Sequence, residues 1–90
     1  MVNVLIVGSG GREHAIGWKL SQSDNVNTVF HGPGNGGTIN NVTISVDDLE
    51  ALSIFASDND CFTVVGPEAP LAAGIVDLFN EKGLKIFGPT

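Results

Sequence analysis

Four short apolar runs in this chain lead straight into glycine: Asn3-Val4-Leu5-Ile6-Val7 before Gly8, Thr28-Val29-Phe30-His31 before Gly32-Pro33, Phe62-Thr63-Val64-Val65 before Gly66-Pro67, and Lys85-Ile86-Phe87 before Gly88-Pro89. Runs rich in β-branched residues and ended by such breakers read as strands. The first, apolar at nearly every position, reads as a strand buried on both faces. Val42-Thr43-Ile44 adds a shorter candidate. Three helical patterns alternate with these runs. One spans Arg12 to Gln22, with Ala15, Ile16, Trp18 and Leu20 toward a sheet and Gly17 as a weak point. A second runs from about Asp47 to Asp58, capped by Ser45-Val46-Asp47-Asp48, with Leu49, Leu52, Phe55 and Ala56 inward. In the third, Leu71, Ile75, Leu78 and Phe79 fall at i, i+4, i+7 and i+8, and Gly83 supplies a left-handed stop.

Strand and helix in alternation mean parallel βαβ units. The expected fold is α/β, a Rossmann-like doubly wound parallel sheet of about five strands, in one domain over residues 1–90. Ligands of such sheets bind beyond the carboxyl ends of the strands, where the glycine-rich segments lie.

Composition narrows the partners. Ten acidic residues against four basic ones give a formal charge of −6, which repels nucleic acid and anionic membrane. Any anionic ligand must be held by a local device. Cys61 is the single cysteine, so neither a disulfide framework nor a cysteine zinc site is expected; its apolar neighbours make it a buried strand residue. No apolar run approaches the roughly 20 residues of a membrane span, and Met1-Val2-Asn3 does not open a signal peptide. The expectation is a soluble chain of the cytosol.

Three segments are candidates for chemistry. In Gly8-Ser9-Gly10-Gly11-Arg12-Glu13-His14, glycines let the backbone approach a ligand, and free amides at the helix start form an anion site. A plainer reading is a tight turn with close helix–strand packing. A dinucleotide fingerprint would share Gly8 and Gly10, but Glu13 occupies its third glycine position, and no acidic residue follows Phe30-His31-Gly32 to hold a ribose. Arg12 either grips phosphate or carboxylate through paired bonds or is an ordinary solvated residue. Glu13 either accepts from sugar hydroxyls or caps helix amides, and His14 is better read as packed or capping than as a general base.

The second segment is Pro33-Gly34-Asn35-Gly36-Gly37-Thr38, in which Asn35 offers donor and acceptor and the glycines offer amides; otherwise it is a surface loop. In the third, Gly66-Pro67-Glu68-Ala69-Pro70-Leu71, two prolines stiffen the turn and present Glu68, whose carboxylate can accept from a vicinal diol or can be a solvated charge. No metal cluster and no nucleophile paired with a base is recognisable, so no catalytic residue is assigned.

Val7-Gly8-Ser9-Gly10-Gly11-Arg12-Glu13-His14-Ala15, Pro33-Gly34-Asn35-Gly36-Gly37-Thr38, the stretch Val65-Gly66-Pro67-Glu68-Ala69-Pro70-Leu71-Ala72-Ala73-Gly74-Ile75-Val76-Asp77, and Ile86-Phe87-Gly88-Pro89-Thr90 together resemble the amino-terminal domain of the phosphoribosylamine–glycine ligase family. Gly32, where many relatives have alanine, is a small departure. The resemblance implies an ATP-grasp ligase of purine synthesis, joining glycine to 5-phosphoribosylamine. ATP and Mg or Mn would bind a later ATP-grasp domain of the same chain, and this 90-residue portion, a fragment catalytically silent alone, would help bind the phosphoribosyl substrate. It also implies Gly8, Gly10, Gly11, Arg12, Gly34, Asn35 and Glu68 as substrate-binding residues. The phosphate or ribose end would lie at the Gly10–Arg12 turn and the Asn35 loop, with the substrate's direction open. A dinucleotide-binding module of an oxidoreductase is the alternative.

Overall fold

The computed structural model describes residues 2–35, 37, 38 and 40–88, apart from the side chains of Glu68 and Ala72. Its elements are β1 (Val2–Gly8), α1 (Gly11–Ser21), β2 (Val26–Pro33), α2 (Leu49–Asp58), β3 (Cys61–Val65), α3 (Glu68–Ala72), α4 (Ile75–Glu81) and β4 (Ile86–Phe87). The strands form one sheet in the order β2-β1-β3-β4, and all pairings are parallel. The chain leaves β1 for β2 on one side and then crosses to β3 on the other. The order therefore reverses beside β1, which is where a crevice opens in doubly wound sheets.

The apolar run of β1 explains its central place. Side chains alternate across a strand, so Leu5 and Val7 join a core with Leu52, Ala56, Val65, Ile75 and Phe79 under α2 and α4. Val4 and Ile6 meet Val29 on the opposite face, where Ile16 and Leu20 of α1 cover them. Full burial of each such side chain contributes about 1.5–3 kcal/mol, which neither face could supply alone. Cys61 is buried as expected; burial and the nearby Asp60 push its thiol up to about 11.

Four features depart from the sequence reading. The described sheet has four strands, because Val42–Ile44 is not one of them. Asn41 makes a single bridge to His31, and Ile44 N then donates to Val42 O at 2.7 Å, a tight turn that ends the pairing. The third helix is two, since Gly74 at φ 93° separates α3 from α4. The cap of α2 is Asp48, which accepts from Ala51 N at 3.1 Å, while Ser45 accepts from Asp47 N one step earlier. In α1 the inward residues are Glu13 and Gly17, with Ile16 and Leu20 partly covered; Trp18 is 61% exposed. Gly17 is thus a contact point rather than only a helix defect.

Candidate functional site

The carboxyl ends of β1, β2 and β3 are tied together by their own loops. Gly34 N donates to Gly8 O at 3.2 Å, and Gly66 N donates to Val7 O at 3.2 Å. The Asn35 side chain spans the gap between two loops: its Nδ2 donates to Ser9 O at 2.7 Å. Its Oδ1 accepts from Gly37 N at 2.7 Å. Thr38 Oγ1 accepts from Asn35 N at 2.8 Å, and Asn41 Nδ2 donates to Asn35 O at 3.0 Å. Among the described residues the Asn35 side chain thus uses one of its two N–H groups and one bond to its oxygen on neighbouring backbone. Asn35 positions the Ser9 turn.

Arg12 closes the rim from the other side. Its Nη2 donates to Gly66 O, so the first turn of α1 is fastened to the end of β3. Arg12 remains 64% exposed, leaving the rest of its guanidinium to face solvent. Gly8, Gly10, Gly11 and Gly34 line the same rim. α3 begins at Glu68, which puts its backbone just beyond β3, but the Glu68 side chain lies outside the described residues, as do Gly36, Pro89 and Thr90.

Glu13 was underestimated in the sequence. It lies on the inner face of α1 and is 7% exposed. A β-carbon at Gly8 would stand 2.4 Å from its Oε1, one at Gly66 2.5 Å from its Cδ, and one at Gly10 3.3 Å from its Oε2. The carboxylate therefore lies beneath the turn, in the space that side chains at these glycines would fill. The signal was present: Glu13 and Gly17 share one helical face. A dinucleotide turn needs a glycine at this position so that helix, strand and pyrophosphate can approach, and a carboxylate there is the wrong charge.

A groove of about 320 Å³ runs between α1 and the edge strand β2 and reaches the Asn35 segment, lined by His14, Gly17, Trp18, His31, Gly37 and Thr38 among others. The rim at the carboxyl ends is the better candidate site, because three glycine segments from three strands converge there and the groove draws on the flank of one strand. His14 and His31 belong to the groove, His14 half-buried and His31 buried. Burial, and secondarily His14, lowers the pKa of His31. Among the described residues no three His, Cys, Asp or Glu side chains are grouped to hold a metal ion, and no helix is long and apolar enough to cross a membrane.

Residues 2–90 match the family model of the phosphoribosylglycinamide synthetase N domain. The chain belongs to that family. It is 58% identical to a phosphoribosylamine–glycine ligase of Pseudomonas aeruginosa, over 99% of this chain and 22% of the relative. It is 59% identical to that of Ralstonia nicotianae and 55% to that of Vibrio vulnificus, with the same coverage in both. The resemblance read from the four motifs is thereby upheld, and the oxidoreductase alternative gains no support. The chain spans about a fifth of the length of these relatives.

Proposed function

We propose that this chain is the substrate-holding amino-terminal domain of a phosphoribosylamine–glycine ligase, acting in the cytoplasm. The reaction joins glycine to 5-phosphoribosylamine and yields glycinamide ribonucleotide, ADP and phosphate. ATP and its Mg or Mn belong to the ATP-grasp portion of the longer protein. When bound there, ATP would supply the phosphoryl group that activates the glycine carboxylate, releasing ADP, and attack by the amine of phosphoribosylamine would release phosphate.

The task of this domain is to hold that amine in place. A fixed nucleophile converts a bimolecular encounter into an effectively intramolecular one, with effective molarities of roughly 10⁵–10⁸ M. Such a role asks for a rigid rim, and one observation carries the reading: Arg12 bonded to Gly66 O, Asn35 bonded to Ser9 O, and Gly34 bonded to Gly8 O lock three strand ends into one platform. Gly8, Gly10, Gly11 and Gly34 give close backbone approach. The exposed edge of Arg12 lies on the substrate's side of the rim, Asn35 holds the rim, and Glu68 receives sugar hydroxyls.

Backbone amide shifts on titration test this. Glycinamide ribonucleotide is expected to move Gly8–Arg12, Gly34–Gly37 and Glu68 saturably, and NAD is not. Saturable shifts with NAD alone would replace the reading with a cofactor module, and silence with both would remove substrate holding from the isolated chain.

A further inference from the structure

The Glu13 carboxylate beneath the Gly8–Gly10 turn has a buried position and no hydrogen-bond donor among the described residues. Its side chain is 10% exposed, and its nearest cation, Arg12 Nε, stands 3.9 Å from Oε2, beyond hydrogen-bond distance. The same guanidinium also donates through Nη2 to Gly66 O. A largely buried carboxylate with no hydrogen-bond donor among the described residues keeps its acceptor capacity for a ligand at the turn.

A glycine turn at a helix start ordinarily attracts phosphate through its amides and the helix dipole. Here a carboxylate lies directly below, within 2.4–3.3 Å of where β-carbons of Gly8 and Gly10 would be. Its charge opposes an anion at the same place. Arg12 offsets that charge only at the 3.9 Å separation of Nε from Oε2, since its Nη2 is bonded to Gly66 O.

We infer that the Gly8–Gly10 turn receives the hydrogen-bond donors of the phosphoribosyl substrate, its sugar hydroxyls or amine, with Glu13 as their acceptor, and that the phosphate points away from this turn. The inference rests on the substrate-holding reading and fixes the direction that the sequence left open. Glu13 selects for a donor-bearing ring over a bare anion, and glycine at positions 10 and 66 leaves the carboxylate the space it occupies.

The test follows the Glu13 carboxyl carbon and the Gly8, Gly10 and Gly11 amides by NMR during titration with ribose 5-phosphate, glycinamide ribonucleotide or inorganic phosphate. In the wild type, the two sugar phosphates are expected to move all of these signals and inorganic phosphate none of them. A response to ribose 5-phosphate identifies hydroxyls as the donors, and a response to the ribonucleotide alone identifies the amine end. Glu13→Gln is expected to weaken the sugar phosphates roughly tenfold, as loss of one hydrogen bond to a charged group does. Inorganic phosphate moving Gly10 and Gly11 in the wild type, or sugar phosphates binding Glu13→Gln as tightly as wild type, would overturn the inference. Should neither sugar phosphate bind, substrate holding by this chain fails separately, and phosphate still decides: a new phosphate response at Gly10 and Gly11 in Glu13→Gln upholds Glu13 as the excluding group, and its absence overturns it.

Discussion

The imidazole of His31 lies so close over Gly17 that a β-carbon there would stand 2.4 Å from its Cε1 and 2.6 Å from its Nε2. This contact sets how near α1 can approach β2. Gly17→Ala would ordinarily stabilise a helix by roughly 1 kcal/mol. His31 is buried, 4% exposed, and its ring must shift to admit a β-carbon; overpacking of this kind costs about 1–3 kcal/mol. Net destabilisation of about 1–2 kcal/mol is expected in denaturant unfolding. Combining Gly17→Ala with His31→Ala should recover most of the cost of the first substitution, a coupling that a double-mutant cycle measures directly. Additive losses would mean that the contact is not the constraint.

The same histidine makes stability depend on pH. Burial first, and His14 second, lowers its pKa in the folded chain below 6.5. The unfolded chain therefore takes up the proton more readily, so the contribution is complete above 6.5, the ordinary value, and is lost as pH falls from there through the lowered one. Carboxylates also titrate on further acidification, so the useful quantity is the difference between wild type and His31→Ala. The advantage of wild type at about pH 7.5 should shrink by about pH 5.5. A difference that stays constant over that interval would remove His31 as the cause.

Asn35 offers a prediction in which one atom changes. Its Nδ2 donates to Ser9 O and its Oδ1 accepts from Gly37 N. Asn35→Asp keeps the second bond and sets an acceptor against the Ser9 carbonyl. A lost bond with facing acceptors costs about 1–3 kcal/mol. Amide exchange at Gly34, which donates to Gly8 O, should accelerate in the variant as the two loops come apart. Exchange at Gly37 should change less, because its acceptor remains. Equal acceleration at both would show that the loop opens as a unit.

Much of this was legible because period and punctuation are local properties. The run Val4-Leu5-Ile6-Val7 specified a strand buried on both faces, and Gly8, Gly32 and Gly66 marked where strands stop. The spacing of Leu52, Phe55 and Ala56 placed α2. What remained hidden depended on contacts distant in sequence. Val42–Ile44 has strand-like residues, yet only Asn41 bridges His31. Trp18 is apolar and still faces outward, because the inner face of α1 is set by small Gly17 against large His31. The bond from Asn35 to the Ser9 carbonyl was hidden because that carbonyl is 26 residues away. Glu13 looked like an obstacle to a known motif, and only the folded chain shows three glycine positions arranged around it.

Gly66 and Gly8 both border Glu13, but for different reasons, and this separates their substitutions. Gly66 does not require a left-handed backbone, so Gly66→Ala suffers only from Glu13, whose Cδ would lie 2.5 Å from the new β-carbon. Truncating the obstacle removes the conflict: Glu13→Ala with Gly66→Ala should be about 1 kcal/mol or more better than the sum of the single losses. Gly8 has φ 135°, a conformation that costs a residue with a β-carbon about 1–3 kcal/mol whatever surrounds it. Gly8→Ala should therefore remain destabilised even when Glu13 is truncated. Thermal unfolding of the four-member cycle at each glycine provides the comparison. Rescue at Gly66 without equivalent rescue at Gly8 is the expected pattern; full rescue at both would show that the carboxylate alone, and not backbone conformation, demands glycine at the end of β1.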